Sequence, residues 1–414
     1  AIDDSEGGQT SRTNITASHR KRFHQGQRLE TVAYMSLYDF DLFSNFTFFL
    51  EDLENGDQIR QFEDRVLVGA HTSFNEDNLT LGKFDIDYEV GVGFRYDNID
   101  DNQLSRTLNR STVLERLAFG DIDQLNTHGF VSANFKYKDF TFNPVLRLDY
   151  FKFDYVDNLS ELYDTRSEEK VAFSPKFNTV YTPSPRAQYF LKAGVGFHSN
   201  DARVVIANEG EKILPAAYGL DLGTVLKPAN GIVLNATLWT LFLEQEFVYV
   251  GDAGIVEPSG RTRRFGLEIG GRYQATDWLY AYADINYTYA RNTTAVDGMD
   301  FIPLAPDVTS AGGLVFTGAS GFSGGINYRF IDDRPANEDN SILAEGYFVT
   351  DANLNYKFRN WTFSLIAENI FNTQWNETQF ATESRLFDEP DPVEEIHFTP
   401  GTPFYLRGKV SLRY

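Results

Sequence analysis

The chain has 414 residues, of which 42% are hydrophobic and 15% aromatic, and its formal net charge is -22. It has no cysteine, which excludes a disulfide framework, a thiolate metal site and a cysteine nucleophile. The negative charge argues against nucleic-acid binding, because phosphates require a basic surface, and the chain has no apolar run of about 18 residues that would form a transmembrane helix.

The chain opens on a polar stretch, residues 1–8, that is typical of the middle of a loop, and it shows no signal peptide. The first strand is expected at about Thr10–Phe23, pairing with a second strand at Arg28–Phe40. A chain that starts inside a loop is expected to be a fragment or mature piece of a longer protein.

Segments in which apolar and polar residues alternate follow one another through the rest of the sequence. Alternation with a period of two predicts strands rather than helices. Val145–Tyr155 is less regular, because its alternation is lost after Tyr150. We predict about seventeen strands and no helix of ordinary length. The clearest runs are Val90–Tyr96, Tyr189–Phe197, Arg264–Tyr273, Leu279–Tyr289, Ala352–Phe358 and Phe404–Tyr414.

Two kinds of connection alternate between these strands. The short kind has turn-forming residues, as at Tyr137–Asp139, Thr182–Arg186, Lys227–Gly231, Thr276–Asp277, Ala319–Gly321 and Arg359–Asn360. The long kind is polar and acidic, at roughly Asp41–Glu63, Asn98–Gln124, Asp157–Lys170, Asn200–Leu214, Gly251–Gly260, Asn292–Pro306, Asp332–Ala344 and Thr373–Thr402. Short periplasmic turns and long extracellular loops are typical of an outer-membrane barrel. The sequence therefore predicts an all-β fold, a transmembrane antiparallel β-barrel.

An odd number of strands has a consequence for completeness. Bacterial single-chain barrels have an even number of strands. The last strand is expected to run towards the periplasm, and counting back makes the first strand do the same. About five earlier strands would complete a barrel of about 22, the size of plugged transporters. We therefore interpret 1–414 as a partial outer-membrane barrel domain, with the first strands outside this sequence.

Three segments resemble TonB-dependent outer-membrane receptors. Phe173–Arg203 is similar to their mid-barrel hairpin, in which an SPK…YTP strand precedes a GxGFHSNDAR strand. Phe363–Asn372 carries Glu-Asn-Ile-Phe-Asn, which is similar to their penultimate-strand signature. Leu42–Phe46 followed by Asn55–Gln58 is similar to a loop of one subgroup.

The resemblance implies a location in the bacterial outer membrane and active uptake of a scarce nutrient, such as a ferric siderophore or another large ligand. It also implies an N-terminal plug domain and the TonB energy-transducing complex as partners, besides outer-membrane lipid and an extracellular ligand. Neither a plug nor a TonB box is in this sequence. The alternatives are a passive porin and an adhesive barrel, either of which would need no plug.

No catalytic, cofactor or metal site is predicted. His198, Ser199 and Asp201 are too close on a strand end to form a relay, because neighbouring side chains point to opposite faces. Asp97–Asn102 and Asn75–Asn78 have oxygen ligands suited to Ca²⁺ but lack EF-hand spacing, so solvated acidic turns are the simpler interpretation.

The last long loop contains the candidate ligand-binding residues. Aromatic side chains with an arginine suit an amphipathic ligand, but they equally suit packing within the loop, and a histidine there could simply lie at the surface. These residues are Trp375, Phe380, Arg385 and His397, with Phe387 beside them.

The polar side of several strands is expected to line the lumen, where it would contact a plug. The members are Arg264, Glu268, Arg272, Asp284, Arg407, Lys409 and Arg413. In the strand Leu279–Tyr289, we expect Asp284 to face the lumen and Ile285 to face lipid. The transported substrate stays open among iron-siderophore, haem, cobalamin, carbohydrate and peptide, because a fold does not choose among them.

Overall fold

The computed structural model describes residues 3–23, 26–161, 165–199, 213–250, 255–318 and 320–413. This part of the chain is built of β-strands and contains no α-helix. It accordingly has no helix with the length and apolar character needed to cross a membrane.

Seventeen strands form one antiparallel sheet, as the alternation predicts. They are β1 (Gly7–Arg22), β2 (Arg28–Ser44), β3 (Ile59–Leu81), β4 (Phe84–Leu108), β5 (Thr112–Tyr137), β6 (Phe140–Asp157), β7 (Thr165–Ser184), β8 (Ala187–Phe197), β9 (Ala216–Leu226), β10 (Ile232–Val250), β11 (Ile255–Thr276), β12 (Leu279–Asn292), β13 (Val308–Thr317), β14 (Phe322–Ile331), β17 (Tyr347–Phe358), β18 (Trp361–Glu368) and β21 (Tyr405–Leu412). Two small ladders lie in the connections, β15 (Arg334–Pro335) with β16 (Leu343–Ala344) and β19 (Asn376–Ser384) with β20 (Val393–Pro400).

Each strand of the large sheet pairs with its neighbours along the chain. In the part of the chain that the structure describes, two steps depart from strict succession, β14 to β17 and β18 to β21, which pass over the two small ladders. As expected, the first strand pairs with the second, with Thr10 opposite Phe40. Within the described residues, β1 pairs only with β2 and β21 only with β18, so the barrel is not closed.

Eight short connections lie together at one end of the sheet, which we call the turn end. They span 23–27, 82–83, 138–139, 185–186, 227–231, 277–278, 318–321 and 359–360. In three of the two-residue turns the first residue has a left-handed backbone, with φ of 64° at Gly82, 52° at Lys138 and 54° at Arg359. A positive φ there matches the twist of the flanking strands.

The opposite end, which we call the loop end, bears the other eight connections, of which the longest is 369–404. One predicted loop is wrong: Asn98–Gln124 is a continuation of β4 and β5, joined by residues 109–111. A strand segment whose two faces both meet water loses the alternation, while its ladder of backbone hydrogen bonds continues. Register shifts at Ile99/Asn102 and Leu104/Ser105 disturb the pattern further.

Other loop boundaries are also narrower than expected. Strand β7 begins at Thr165, inside the predicted loop Asp157–Lys170, and β11 begins at Ile255, inside Gly251–Gly260. The loops Asp332–Ala344 and Thr373–Thr402 each contain a short ladder. Most of Asn200–Leu214 lies outside the described residues.

The two faces of the sheet differ in chemistry along its whole width. Ile285 lies opposite Ile269 on the apolar face and is 47% exposed. Asp284 lies on the polar face, where its carboxylate accepts two hydrogen bonds from Arg272 at 2.7 and 3.0 Å. The alternation predicted for Leu279–Tyr289 is therefore confirmed.

A compact apolar cluster interrupts the polar face near the loop end. Phe153 is fully buried in it and stacks on Phe151, with ring centroids 5.8 Å apart. Its other members are Ile99, Ile122 and Ile213. Residues from β4, β5, β6 and the segment before β9 thus bury one another on a face that is otherwise wet.

Candidate functional site

The hairpin β19–β20 is fixed at its base by Asn369. This side chain is 1% exposed, and its amide donates to the carbonyls of Thr373 at 2.8 Å and Thr402 at 3.0 Å. The backbone N–H of Asn369 donates to the carboxylate of Asp351 at 2.8 Å. Asparagine tolerates the left-handed backbone found here, with φ of 48°.

The other end of this hairpin packs on the β2–β3 loop, residues 45–58. The backbone N–H of Phe49 donates to the carbonyl of Arg385 at 2.9 Å, and that of Arg385 donates to Thr47 at 3.1 Å. Three ring pairs accompany these bonds: Phe46 with Phe380 at 5.5 Å, Phe48 with His397 at 5.7 Å, and Phe49 with Phe387 at 5.2 Å. Together they form an aromatic clasp between two distant loops.

The β2–β3 loop is organised around the carboxylate of Asp57, which is 7% exposed. It accepts hydrogen bonds from the backbone N–H groups of Leu50 at 2.9 Å and Asp52 at 2.8 Å, and from the Thr47 hydroxyl at 2.8 Å. A carboxylate is suited to this position because it only accepts hydrogen bonds. Gly56, with φ of 78°, turns the chain so that Asp57 points back into the loop.

Gln58 joins this loop to the β4–β5 turn. Its side-chain oxygen accepts from the backbone N–H of Arg110 at 2.9 Å and the hydroxyl of Thr107 at 3.1 Å. The guanidinium of Arg110 donates to the carbonyls of Ser5 and Glu6, which ties down the start of the chain. A cavity of about 680 Å³ lies among these segments, with acidic and aromatic walls that include Asp3, Asp4, Glu54, Phe387 and Glu389.

A second cavity, of about 350 Å³, lies beside the polar face near Trp375. The Trp375 indole N–H donates to the carbonyl of Thr402 at 3.1 Å, and its ring lies 4.8 Å from that of Tyr347. The guanidinium of Arg329 sits 5.3 Å from the Trp375 ring centroid and 3.8 Å from the carboxylate of Asp351. Other walls are Asn327, Glu368 and Glu377.

A family model for the barrel of TonB-dependent receptors matches residues 2–370. The chain belongs to this family. Membership implies an outer-membrane location, and it makes the polar face the lumen wall and the apolar face the lipid-facing surface.

Solved structures of three transporters and receptors have a similar fold. The ferric citrate transporter FecA has a TM-score of 0.77 at 15% identity, over 97% of this chain and 61% of its own. The siderophore receptor PiuA from Acinetobacter baumannii has a TM-score of 0.79 at 11% identity, over 99% and 65%. The copper transporter OprC has a TM-score of 0.74 at 14% identity, over 100% and 66%. The chain thus spans less than two thirds of the length of each.

The four ligand-binding candidates of this receptor chain do not lie together. Trp375 lines the cavity on the lumen wall. Phe380 and His397 pack in the clasp, where the His397 ring nitrogen Nε2 also lies 3.1 Å from the Ser384 hydroxyl, and Arg385 bonds the opposite loop. These three have packing partners, and contact of any of the four with a ligand stays a prediction. No local pattern identifies Arg329, whereas the three phenylalanines between Asn45 and Leu50 are a pattern from which a packed loop could have been predicted.

Several residues expected on the lumen wall form ion pairs there. Arg264 pairs with Glu246, Arg272 with Asp284, and Arg407 with Glu368 at 3.4 Å. Glu268, Lys409 and Arg413 have no ion pair within the residues described, and the Arg413 backbone bonds Asn360 at the turn end. Contact of these residues with a plug stays a prediction.

The two acidic segments expected as solvated turns lie in strands instead, Asn75–Asn78 in β3 and Asp97–Asn102 in β4. The Asp97 carboxylate accepts two hydrogen bonds from Arg95, at 2.6 and 2.7 Å, so it is neutralised by a guanidinium. No group of three or more potential metal-ligating side chains occurs in the described segments. His198 follows β8 directly, and 200–203 of the same motif lie outside the described residues.

Local hydrogen bonds stabilise two carboxylates of the loop end as anions. The backbone and side-chain amides of Asn55 lower the pKa of Asp52. The hydroxyl and backbone N–H of Ser341 lower the pKa of Asp339 in the β14–β17 loop. Burial lowers the pKa of Arg334 in the same loop. The folded chain therefore favours the ionised form of Asp52 and of Asp339.

Proposed function

We propose that this chain is the larger part of the barrel of a receptor that takes up a ferric siderophore, or another large and scarce ligand, across the outer membrane. The observation that carries the proposal is the pair of open edges. Unpaired backbone groups in lipid cost several kcal/mol each, so β1 and β21 require neighbours. About five further strands from the rest of the polypeptide would supply them, and a plug would fill the lumen.

The proposal includes an orientation. The turn end faces the periplasm, where TonB acts, and the loop end faces the exterior, where ligand arrives. Support comes from the lengths of the connections, since none at the turn end is longer than five residues whereas the longest connections, such as 369–404, all lie at the loop end. A cysteine at position 389 is expected to react with an impermeant maleimide in intact cells, whereas a cysteine at position 230 is expected to react only after the outer membrane is opened. The reverse result would overturn the orientation.

Ligand is proposed to reach the lumen wall at the Trp375 cavity. The volume of about 350 Å³ admits one arm of a larger ligand. The indole and the Arg329 guanidinium offer a flat apolar surface and hydrogen-bond donors side by side. The names of similar structures, a ferric citrate transporter and a siderophore receptor, support an iron complex as the ligand.

Uptake by cells under iron limitation tests this function. The full-length receptor is expected to support uptake of a labelled ferric complex that stops when the proton gradient is collapsed. Trp375→Ala is expected to reduce uptake at low ligand concentration, whereas Phe371→Ala, a nearby exposed aromatic, is not. Passive entry of small solutes that survives loss of the gradient would favour a porin instead.

A further inference from the structure

The two ends of the sheet carry opposite charge. Acidic residues dominate the loop-end connections, which hold most of the net charge of -22. The turn-end connections instead hold five basic residues against two acidic ones, Asp139 and Asp277. We call the five the turn cations: Lys83, Lys138, Arg186, Lys227 and Arg359.

The turn cations are exposed, and none of them has an ion pair or a side-chain hydrogen bond within the described residues. Basic residues slightly further inside the barrel do have such partners. Arg28 pairs with Asp77 at 2.9 Å, and Lys136 pairs with Asp87. The turn cations are therefore available to an external anion.

Two of them also occupy an unfavourable backbone. Lys138 and Arg359 have φ of 52° and 54° at turn positions that favour glycine or asparagine. Each charge lies over the preceding aromatic ring, 5.3 Å from that of Tyr137 and 5.4 Å from that of Phe358. A long basic side chain at such a position suggests a role that glycine could not fill.

The neighbours of these cations place them at a membrane surface. Aromatic rings form a belt on the apolar face at the turn end: Phe84, Tyr137, Phe140, Tyr181, Trp278, Phe322, Phe358 and Trp361. In outer-membrane barrels such belts mark the boundary between hydrocarbon and headgroups. The turn cations lie just beyond this belt, at the depth of the lipid phosphates.

Arg186 and Lys227 come from different turns but meet. The backbone N–H of Lys227 donates to the carbonyl of Arg186 at 2.7 Å. Both residues border a cavity of about 640 Å³ whose other walls include Arg272, Gln274 and Tyr280 of the polar face, so this pair lies on the lumen side of the turn end. Lys138 and Arg359, which lie over the belt rings of Tyr137 and Phe358, are the turn cations on the lipid side.

We propose that the turn end is a binding collar for anionic phospholipid headgroups in the leaflet it contacts. The collar goes beyond ligand uptake, and only the identity of that leaflet rests on the proposed orientation. A lipid is the occupant rather than a soluble anion, because the aromatic belt adjoins the cations and buries acyl chains beside them. The collar and the belt together hold the barrel at a fixed depth.

Tryptophan quenching tests the collar in the full-length receptor reconstituted in liposomes. Brominated phosphatidylglycerol and brominated phosphatidylcholine quench a nearby indole, and the difference between the receptor and its Trp361→Phe variant isolates Trp361. We expect Trp361 to select phosphatidylglycerol. Since each basic residue near an anionic surface is worth about fivefold in binding, Arg359→Gly, two residues from Trp361, is expected to lower this selectivity about fivefold.

Glycine at 359 fits the left-handed backbone found there, so the variant is expected to keep the turn. Lys152→Gln, which alters an ion-paired residue of β6 near the loop end, is the matched control and is expected to leave selectivity unchanged. Equal quenching by the two lipids in the unaltered receptor would overturn the proposal. Loss of selectivity with added inorganic phosphate alone would also overturn it, in favour of a soluble anion. Neither result depends on ligand uptake.

Discussion

The turn end and the loop end of this barrel are organised by interactions of different range. Each turn is set by two to five consecutive residues and by the ladder it closes. The loop end depends on segments far apart in sequence, since the Arg385 guanidinium donates to the carbonyl of Phe49, which is 336 residues away, at 3.3 Å. Local rules therefore govern one end of the molecule and tertiary contacts govern the other. Substitutions are expected to reflect this difference.

The largest effect is expected in the apolar cluster at the loop end. Phe153→Ala should destabilise the full-length receptor by about 3–5 kcal/mol, because a fully buried ring leaves a cavity. Urea denaturation measures the change. Phe371→Ala, which removes a ring that is 71% exposed, is the control and should have little effect. Equal losses of unfolding free energy in the two variants would show that burial of Phe153 in the cluster does not contribute to stability.

The next effect concerns the carboxylate at the centre of the β2–β3 loop. Asp57→Ala leaves the N–H groups of 50–52 without their acceptor and should cost about 1.5–3 kcal/mol locally. Hydrogen exchange of those amides should increase, and so should exchange of the backbone N–H groups in the aromatic clasp. Asp388→Ala, at an exposed acid of the same end, should leave exchange unchanged. Retained protection in Asp57→Ala would contradict the role given to this residue.

At the turn end, the left-handed backbone of one glycine is expected to determine how much a substitution lowers stability. Gly231 has φ of 79°, and a Cβ there would lie 2.8 Å from the Gln274 carbonyl oxygen. Gly231→Ala should therefore cost about 1–3 kcal/mol. Gly196→Ala is the matched control, since a Cβ there meets nothing within 4 Å. Thermal unfolding of the two variants should separate them.

A smaller change of opposite sign is expected at Arg359. Arg359→Gly relieves a left-handed backbone and should stabilise the turn by about 1 kcal/mol, less the entropy that glycine adds to the unfolded chain. Cooperative unfolding measured in detergent, without lipid, reports this change in stability separately from any effect of lipid binding at the collar. A loss of stability in detergent would mean that the Arg359 side chain supports the turn directly.

The smallest effect is a dependence on pH that is confined to the loop end. The pKa of Asp52 and that of Asp339 are lowered by hydrogen bonds in the folded chain. Their stabilisation is therefore complete above the ordinary carboxyl pKa of about 4 and is lost as the pH falls below it. Hydrogen exchange between neutral and acidic pH should increase around 52–55 and 339–341 first. A simultaneous increase of hydrogen exchange in the turns at the turn end would contradict this order.

The local features of the fold were predictable from sequence for a physical reason. The alternation in Leu279–Tyr289 reflects a strand between lipid and water, and it predicted both the strand and its two faces. Pro228 restricts the backbone and Gly231 permits a left-handed one, so turn residues of these types located the turn end. The ending Phe404–Tyr414 likewise predicted a final strand, observed as Tyr405–Leu412. These features need no knowledge of distant residues.

Tertiary structure alone decided the loop end. Asn98–Gln124 has the composition of a loop but forms the tops of β4 and β5, because ladder bonds need no apolar side chains. Phe380, Arg385 and His397 suggested a ligand site, yet they contact the β2–β3 loop through partners that no local pattern identifies. Trp375 and Arg329 approach one another only when β14 and the last loop fold together. A sequence pattern reports the solvent on each side of a strand, whereas contacts between loops depend on where the whole sheet brings them.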